Sequence, residues 1–242
     1  MITRDQSVPR LRGLVTDIDG TLTDQSRRLN TEAIDAIRVL VDNGVQVVLA
    51  SGNTACFMDA LCRMIGTGGN FIGENGGVYR IGYTGTIVTT GEGSGPRKAL
   101  ADLISFYKGK GITLDLFSFP YRFVDVAFAR TVSVSEVRTV LKDYPVEVLN
   151  TGFAIHLQPP GITKGVAFSS LVREIGLDTT DFLAVGDAQN DIDLLSRAGV
   201  GAAVANAHPD LRHEADWISD KKYGEGFMDT LKEYFPDYFL DR

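Results

Sequence analysis

The chain has 242 residues, of which 44% are hydrophobic and 23% charged, and this length and composition exclude peptides and small disulfide-stapled scaffolds. Its 24 basic and 31 acidic residues give a formal net charge of -7, which argues against nucleic acid and anionic membrane surfaces as partners. No stretch reaches the ~18 consecutive apolar residues of a membrane span, and the segment from Met1 to Gln6 lacks the apolar core of a signal peptide. We therefore expect a cytoplasmic protein.

The first third of the chain predicts strands that alternate with helices. Residues 11–16 and 45–50 are continuous apolar runs, and each is followed by apolar residues at helical spacing, over 31–43 and 54–65. Gly44 marks the end of the first helix. Because strands that are apolar on both faces need helices on both sides, this pattern predicts a parallel sheet.

Two cysteines lie on the second predicted helix. Cys56 and Cys62 are six residues apart, which does not match the Cys-x-x-Cys spacing of redox and zinc sites. We interpret both as buried free thiols.

The middle of the chain, over 83–157, has a different rhythm. It predicts two helix-strand-strand units, with helices at 97–108 and 135–144 and strands at 112–117, 123–129, 146–149 and 153–157. Such an αββαββ arrangement is a small open sheet with helices on one face. Glycines between 82 and 95 and the Pro159-Pro160-Gly161 turn flank it, so the predicted division is an α/β core at 1–82 and 158–242 with an α+β insertion at 83–157.

The alternating pattern resumes in the last third. The predicted elements are a helix from 163 or 164 to 175, a strand at 182–185, a helix to 198, a strand at 200–205, an edge strand at 217–218 and a closing helix at 226–235.

Acidic residues follow the first predicted strand in the sequence Asp17-Ile-Asp-Gly-Thr21. Ligands bind at the carboxyl edge of open α/β sheets, and two carboxylates one residue apart repel unless a cation or a proton is shared between them. A calcium loop does not fit, because Leu22 and Arg28 stand where its glycine and glutamate would be. A plain acidic turn remains the alternative.

Three further motifs lie where apolar runs end or helices begin. Gly186-Asp-Ala-Gln-Asn-Asp191 places two carboxylates four residues apart, although a helix cap with a first-turn acid would look the same. Ser51-Gly52-Asn53 precedes a helix whose free N–H groups could hold an anion, and it is also ordinary turn chemistry. Lys164 starts a helix, a position that is unfavourable for a cation and so favours a functional role.

Together, Asp17-Ile-Asp-Gly-Thr21, Ser51, Lys164 and Gly186-Asp187 to Asp191 resemble motifs one to four of the haloacid dehalogenase superfamily of phosphohydrolases, in order and spacing, over essentially the whole chain. The resemblance implies a Rossmann-like parallel-sheet core and a small C2-type cap inserted between motifs two and three. Within the superfamily, Ser51-Gly-Asn53, Gly73-Glu-Asn-Gly-Gly77, His156-Leu and Tyr223-Gly-Glu look like the archaeal-type phosphoglycolate phosphatases.

The resemblance also implies roles for these residues. Asp17 would be the nucleophile that forms an aspartyl-phosphate, and Asp19 the general acid and base. Mg²⁺ would be held by the Asp17 carboxylate, the Asp19 backbone carbonyl, Asp187 and, directly or through water, Asp191. The residues expected to hold phosphate are Ser51, Gly52, Asn53 and Lys164. The expected partner is a small phosphorylated metabolite, most simply 2-phosphoglycolate, and the expected state is a monomer or homodimer.

Other readings stay open at this point. One alternative is a sugar-phosphate phosphatase of the Cof or sucrose-phosphatase type, which would share the fold. A second is a phosphomutase, which would return the phosphoryl group to its substrate. The third is a non-enzymatic protein that is switched by phosphorylation.

Several residues outside the motifs have roles that the sequence leaves undecided. Arg122, Arg130 and Lys142 are candidate cap donors to the leaving group, and His156 could face it. Glu74 could either approach the site or order its loop, whereas Asp193 is expected at the surface or in a local ion pair.

Overall fold

The computed structural model describes residues 11–152 and 154–239. The predicted absence of a signal peptide at Met1 to Gln6, and the first residue of the strand predicted over 153–157, lie outside these ranges. The described strands are β1 Gly13–Asp17, β2 Gln46–Ala50, β3 Asn70–Gly73, β4 Val78–Arg80, β5 Val88–Thr89, β6 Val126–Ala129, β7 Glu147–Asn150, β8 Ala154–Gln158, β9 Phe182–Gly186, β10 Val200–Ala203 and β11 Trp217–Ile218. The described α-helices are α1 Thr31–Asp42, α2 Ala55–Ile65, α3 Ser94–Lys108, α4 Val134–Val140, α5 Lys164–Glu174, α6 Ile192–Arg197, α7 Pro209–Glu214 and α8 Tyr223–Tyr234.

Eight strands form the main sheet, in the order β11-β10-β9-β1-β2-β3-β4-β5. The first six run parallel, whereas β4 and β5 are antiparallel to their neighbours. The predicted parallel α/β core is therefore confirmed, with β11 as its edge strand. The central strand β1 pairs with β2 and β9 on either side, so the three carboxyl ends meet at one edge.

Helices cover both faces of this sheet because its central strands are apolar on both sides. Leu14 packs into a cluster with residues of α1, α2 and α8, whereas its neighbour Val15 packs into a second cluster with residues of α5, α6 and α7. Successive side chains of a strand point to opposite faces, so one apolar run supplies both cores.

A second, three-stranded sheet has the order β6-β8-β7 and carries α3 and α4. Its core contains Leu103 and Tyr107 of α3, Val137 of α4 and Phe128 and Ile155 of the sheet. We call the segment from α3 to β8 the cap.

The predicted αββαββ pattern of the cap is wrong in one strand. Residues 112–117 form only an isolated bridge, between Leu116 and Phe128. The chain cannot continue as a strand because Ser118 has a φ of 52° and is followed by the 3₁₀ turn Phe119–Tyr121. Before the bend, the Phe117 N–H donates to the Ala127 carbonyl and the Ala129 N–H donates to the Asp115 carbonyl, so the bend ends a short pairing with β6.

Short elements that the sequence did not predict complete the structure. They are β3, β4, β5 and α7, each of two to six residues. β5 lies in the predicted insertion but pairs with β4 of the main sheet, so the hinge region contributes to the core sheet. The division of the chain at 82/83 and 157/158 into domains stays a prediction.

Two smaller expectations also meet the structure here. Cys62 is buried, but Cys56 is exposed on α2, so the prediction of two buried thiols is wrong for Cys56. Among the described helices, none has the length and apolarity needed to cross a membrane.

Candidate active site

The functional residues predicted from the sequence meet at the carboxyl edge of the main sheet. Asp17 is the last residue of β1, Ser51 follows β2 and Asp187 follows β9. The strand register places Asp17 opposite Ala50 and Thr16 opposite Val185, so the three loops leave the sheet at the same level. A parallel sheet thereby collects residues that are 170 positions apart, counted from Asp17 to Asp187, in one site.

Lys164 enters this site from the first turn of α5. Its Nζ donates to Asp17 Oδ1 at 2.6 Å and to Asp191 Oδ1 at 2.7 Å, and the residue is only 1% exposed. Thr163 caps the helix by accepting from the Val166 N–H. Gly76 packs directly against the start of this helix. Its φ is 104°, and a Cβ at this position would lie 2.1 Å from the Thr163 carbonyl oxygen, so no other residue fits there.

Three carboxylates surround the ammonium group of Lys164. Asp17, Asp187 and Asp191 present ligand oxygens that all lie within 4.8 Å of one another, and we call this group the acidic cluster. Both oxygens of Asp191 are in use, since Oδ1 accepts from Lys164 and Oδ2 accepts from the backbone N–H groups of Asp187 and Ala188.

In contrast, Asp17 Oδ2 and Asp187 Oδ1 are buried and find no hydrogen-bond partner among the described residues. Buried carboxylate oxygens without a donor are costly unless a cation is bound. The acidic cluster therefore fits a hard divalent cation such as Mg²⁺, with Asp17 and Asp187 as the available ligands.

The pKa values of the acidic cluster also indicate that it contains too little positive charge. Burial raises the pKa of Asp17 well above its usual value, as do Asp191 and Asp187, although Lys164 opposes the shift. Burial and the Asp191 charge raise the pKa of Asp187 to about 7. Burial works against the charge of Lys164, but Asp17 and Asp191 outweigh it and raise the lysine pKa, so this side chain stays charged.

Asp19 lies beside the acidic cluster in a more open position. Its Oδ2 accepts from Asn53 Nδ2 at 3.0 Å, and the same amide donates to Ser51 Oγ at 2.9 Å. Gly20, with a φ of 94°, lets the chain turn directly over Asp187, whose Oδ2 would lie 2.2 Å from a Cβ. Asn53, predicted to hold phosphate, is thus the residue that orients the Asp19 carboxylate.

A cavity of about 290 Å³ lies between this edge of the sheet and the cap. Its core-side wall contains Asp17, Asp19, Ser51, Gly52 and Asn53. Its remaining lining residues come from the loops of the core and from the cap: Arg27, Asn75, Leu116, Phe117, Ser118, Arg122, Thr151, Ala154, His156, Ala188 and Asn190.

The 3₁₀ turn Glu74–Gly76 connects the main sheet to the cap. Glu74 is completely buried, and its carboxylate accepts the backbone N–H groups of residues 123–125 of the cap. Asn75 accepts from Asn190 Nδ2 through its Oδ1, and its Nδ2 lies 3.2 Å from His156 Nδ1. Both residues have positive φ, at 52° and 55°. Glu74 therefore orders a loop, the second of its two expected roles.

Asn75 and Asn190 are site residues that the motif analysis did not single out. The available signals are the Gly73-Glu-Asn-Gly-Gly77 segment for Asn75 and the Gly186–Asp191 motif for Asn190.

The remaining candidates separate clearly by position. Arg122 and His156 line the cavity, whereas Arg130 and Lys142 are exposed and do not. Asp193 pairs with Arg197 at 2.8 Å and accepts from the Thr163 hydroxyl, as expected for a local ion pair.

This fold and site define a hydrolase class, and the chain belongs to the haloacid dehalogenase-like hydrolase family, which matches residues 14–142 and 135–231. The predicted family is therefore confirmed. A protein of Methanoculleus marisnigri named phosphoglycolate phosphatase is 53% identical over 231 residues, which cover 95% of this chain and 99% of the relative. A protein of the same name from Methanospirillum hungatei is 50% identical over 226 residues, covering 93% and 97%.

The solved structures agree with this assignment. The crystal structure of Thermoplasma acidophilum 0175 superposes with a TM-score of 0.83 at 28% identity and covers 93% of this chain and 98% of that chain.

Proposed function

We propose that this chain is a phosphomonoester hydrolase that acts through a phosphorylated Asp17 and whose preferred substrate is 2-phosphoglycolate. The observation that carries the proposal is the unpartnered oxygen of Asp17, a residue that lines the cavity below the cap and bonds a buried lysine. A carboxylate that one cation holds in place can attack the phosphorus of a phosphate ester, although the ester is itself negatively charged.

The reaction proceeds in two displacements. A carboxylate oxygen of Asp17 attacks phosphorus, the bond from phosphorus to the ester oxygen breaks, and the leaving oxygen takes a proton from the Asp19 carboxylic acid. In the second step the Asp19 carboxylate takes a proton from water, and the water oxygen attacks phosphorus. The acyl-phosphate bond then breaks, which releases inorganic phosphate and returns both side chains to their starting states.

Lys164 and the turn after β2 hold the phosphoryl group during both steps. Lys164 keeps its charge because Asp17 and Asp191 surround it, so it is a permanent countercharge to the phosphoryl oxygens. Ser51 and Gly52 line the cavity beside Asp17 and offer a hydroxyl and a backbone N–H. Asn53 orients Asp19 instead, so that different residues of this turn serve phosphate binding and proton transfer.

A divalent cation fits the acidic cluster, and Mg²⁺ is the ion that its oxygen ligands favour. Asp17 and Asp187 would hold it, with Asp191 fixed by Lys164 and two backbone N–H groups as their neighbour. When bound, the ion supplies the positive charge that the cluster lacks and neutralises charge on the phosphoryl group.

Two observations support a small leaving group. The relatives at 53% and 50% identity carry the name phosphoglycolate phosphatase and match this chain over almost their entire length. In addition, Arg122 of the cap bonds the Gly52 carbonyl of the turn that would hold phosphate, so a cap cation lies close to the phosphoryl site.

The test is a screen of phosphate esters with Mg²⁺, read as released phosphate. We expect kcat/KM for 2-phosphoglycolate to exceed that for glucose 6-phosphate and mannose 6-phosphate by at least about tenfold, or ~1.4 kcal/mol of transition-state binding. Equal or faster turnover of the hexose phosphates would replace the substrate proposal with the sugar-phosphatase alternative. A requirement for a bisphosphate would favour the mutase, and no turnover at all would favour the switch.

A further inference from the structure

Three cap residues form a buried charged group on the cap side of the cavity. Asp125, directly before β6, is 0% exposed, and its two oxygens have different partners. Oδ1 accepts from Arg122 Nη1 at 2.5 Å, and Oδ2 lies 2.8 Å from His156 Nδ1 of β8. We call Arg122, Asp125 and His156 the cap triad.

The Asp125 carboxylate lies behind the cavity wall, and the two side chains that it bonds lie on the wall. Arg122 and His156 line the cavity, whereas Asp125 does not. Because an ionised carboxylate only accepts hydrogen bonds, Asp125 keeps a proton on His156 Nδ1. Nothing in the described ranges bonds to His156 Nε2, which leaves that nitrogen of the ring for a ligand.

Arg122 is held at three points and has one amino group left. Its Nε donates to the Phe117 carbonyl at 2.9 Å, and its Nη1 donates to Asp125 and to the Gly52 carbonyl at 3.2 Å. No residue within 11–152 or 154–239 accepts from Nη2. The bond to Gly52 places the guanidinium directly beside the turn that would hold phosphate.

We propose that Arg122, positioned by Asp125 and with His156 beside it on the cavity wall, recognises a carboxylate on the leaving group of the substrate. The inference rests on the proposed phosphatase function and specifies what the cap reads. In a carboxylate-bearing ester as short as 2-phosphoglycolate, the carboxyl carbon is separated from the ester oxygen by a single methylene. A phosphoryl group on the 51–53 turn therefore brings the carboxylate to the guanidinium that bonds the same turn.

The charges agree with this assignment. Asp125 offsets the charge of Arg122, but both of its oxygens are already bonded, so the remaining guanidinium N–H groups are the donors that a bound anion meets. A planar guanidinium with a free amino group suits a carboxylate better than the hydroxyl groups of a sugar.

Arg27 is the rival cation in the cavity. It lies on the core loop after β1, is about half exposed and stands 3.9 Å from Asp19 Oδ1. It is thus near the general acid, whereas Arg122 is fixed at the other wall. The experiment includes both residues.

The test compares 2-phosphoglycolate with its neutral carboxamide, 2-phosphoglycolamide, which keeps the same size and phosphoryl group. For each variant we would measure the ratio of kcat/KM for the acid to that for the amide, so that any general defect in cap closure cancels. Arg122→Met should reduce this ratio at least about tenfold, mainly through KM of the acid, and His156→Gln should reduce it by a smaller factor.

Arg130→Met is the matched control, because Arg130 belongs to the same cap but lies at the surface, where it donates, among the described residues, to the Gly152 carbonyl alone. It should leave the ratio and the turnover unchanged. An unchanged ratio in Arg122→Met, or an equal loss of acid and amide, overturns the inference and leaves Arg122 as a structural contact between cap and core. If the acid-to-amide ratio falls in Arg27→Met and not in Arg122→Met, the substrate carboxylate binds the core loop after β1, and this result also overturns the inference.

The two proposals fail separately. The wild-type screen decides whether 2-phosphoglycolate is the preferred ester, and it does not involve the cap variants. If another carboxylate-bearing ester is preferred, the acid-to-amide ratio of that ester in Arg122→Met still tests the triad.

Discussion

The acidic cluster and the cap triad face each other across one cavity. Both contain an almost completely buried aspartate, yet the pKa values of Asp17 and Asp125 shift in opposite directions. Burial raises the pKa of Asp17, and its partners include two further acids with a single lysine. Burial also acts to raise the pKa of Asp125, but the hydrogen bond and charge of His156 and the charge of Arg122 lower it below its usual value. Equal burial thus has opposite outcomes because the balance of partners differs.

This difference teaches what each side of the cavity needs. The carboxylate of the cap triad is fully bonded without a ligand, since both oxygens of Asp125 have partners. The acidic cluster has two orphaned oxygens and too little positive charge, so its stability improves when a cation binds or when an acid is removed. Substitutions in the acidic cluster should therefore reduce activity more than stability, and substitution of Asp125 in the cap triad should act mainly on stability.

Asp17→Asn should have the largest effect. It removes the nucleophile and one cation ligand while keeping the shape, so we expect turnover to fall by at least about a thousandfold. Because repulsion with Asp187 and Asp191 is relieved, Tm in EDTA should stay the same or rise. Released phosphate and thermal unfolding measure the two effects. More than a few per cent of residual turnover would contradict the nucleophile assignment.

Asp19→Asn should separate proton transfer from binding. Protonation of the leaving oxygen fails, so an alkyl phosphate should lose roughly 100-fold or more in kcat, and p-nitrophenyl phosphate should lose much less in the first step because its leaving group needs little acid. Pre-steady-state release of p-nitrophenol measures that step. Equal losses with both esters would count against the acid role of Asp19.

Asp125→Asn should act mainly on stability. The change leaves the buried Arg122 without a countercharge, which we expect to cost about 3 kcal/mol of unfolding free energy. The matched control is Asp35→Asn, because Asp35 and Arg38 form an arginine–aspartate pair of the same spacing on an exposed helix face. That surface pair should contribute less than about 0.5 kcal/mol. Urea unfolding compares them, and equal losses would show that the triad is no more than a surface-like ion pair.

The smallest predicted effect is the dependence of the acidic cluster on pH. Burial and the charge of Asp191 raise the pKa of Asp187 to about 7 in the folded chain, from an ordinary aspartate value of 3.8, so the metal-free folded state binds more protons than the unfolded state between these two pH values. Its contribution to stability is therefore favourable at low pH and is lost as pH rises towards about 7. A cation must displace the same protons, so Mg²⁺ should bind more tightly above pH 7.

The rise in Tm caused by Mg²⁺ should accordingly be larger near about pH 8 than near about pH 5.5. Asp187→Asn should remove most of this pH dependence, and Asp193→Asn, an acid nearby whose pair is on the surface, should preserve it. A rise in Tm that does not vary with pH would exclude Asp187 as a cation ligand.

How much of this could be predicted from the sequence differs between the two sides. Asp17, Ser51 and Asp187 were predictable because each directly follows a long apolar strand, and parallel strands end at one edge. Lys164 was marked by its unfavourable position at a helix start.

The contacts between cap and core were not predictable in the same way. Glu74 and Asn75 act through positive φ angles and through bonds to residues about 50 to 115 positions away, which no local pattern encodes. Likewise β3, β4 and β5 are shorter than the runs from which periodicity is read. The bend at Ser118, which ends the predicted cap strand, has a positive φ of 52° and is accompanied by the bond from Arg122 to the Phe117 carbonyl, and neither feature follows from local periodicity.

The central claim is that Asp17 of the acidic cluster becomes phosphorylated, and the most direct measurement is rapid acid quenching of the Asp19→Asn variant with ³²P-labelled p-nitrophenyl phosphate and Mg²⁺. The good leaving group allows the first displacement, whereas the missing base slows attack by water. We expect close to one label per chain, released by hydroxylamine and mapped to the peptide that contains Asp17. Phosphate release without a labelled protein, or a label on any other residue, would contradict the account.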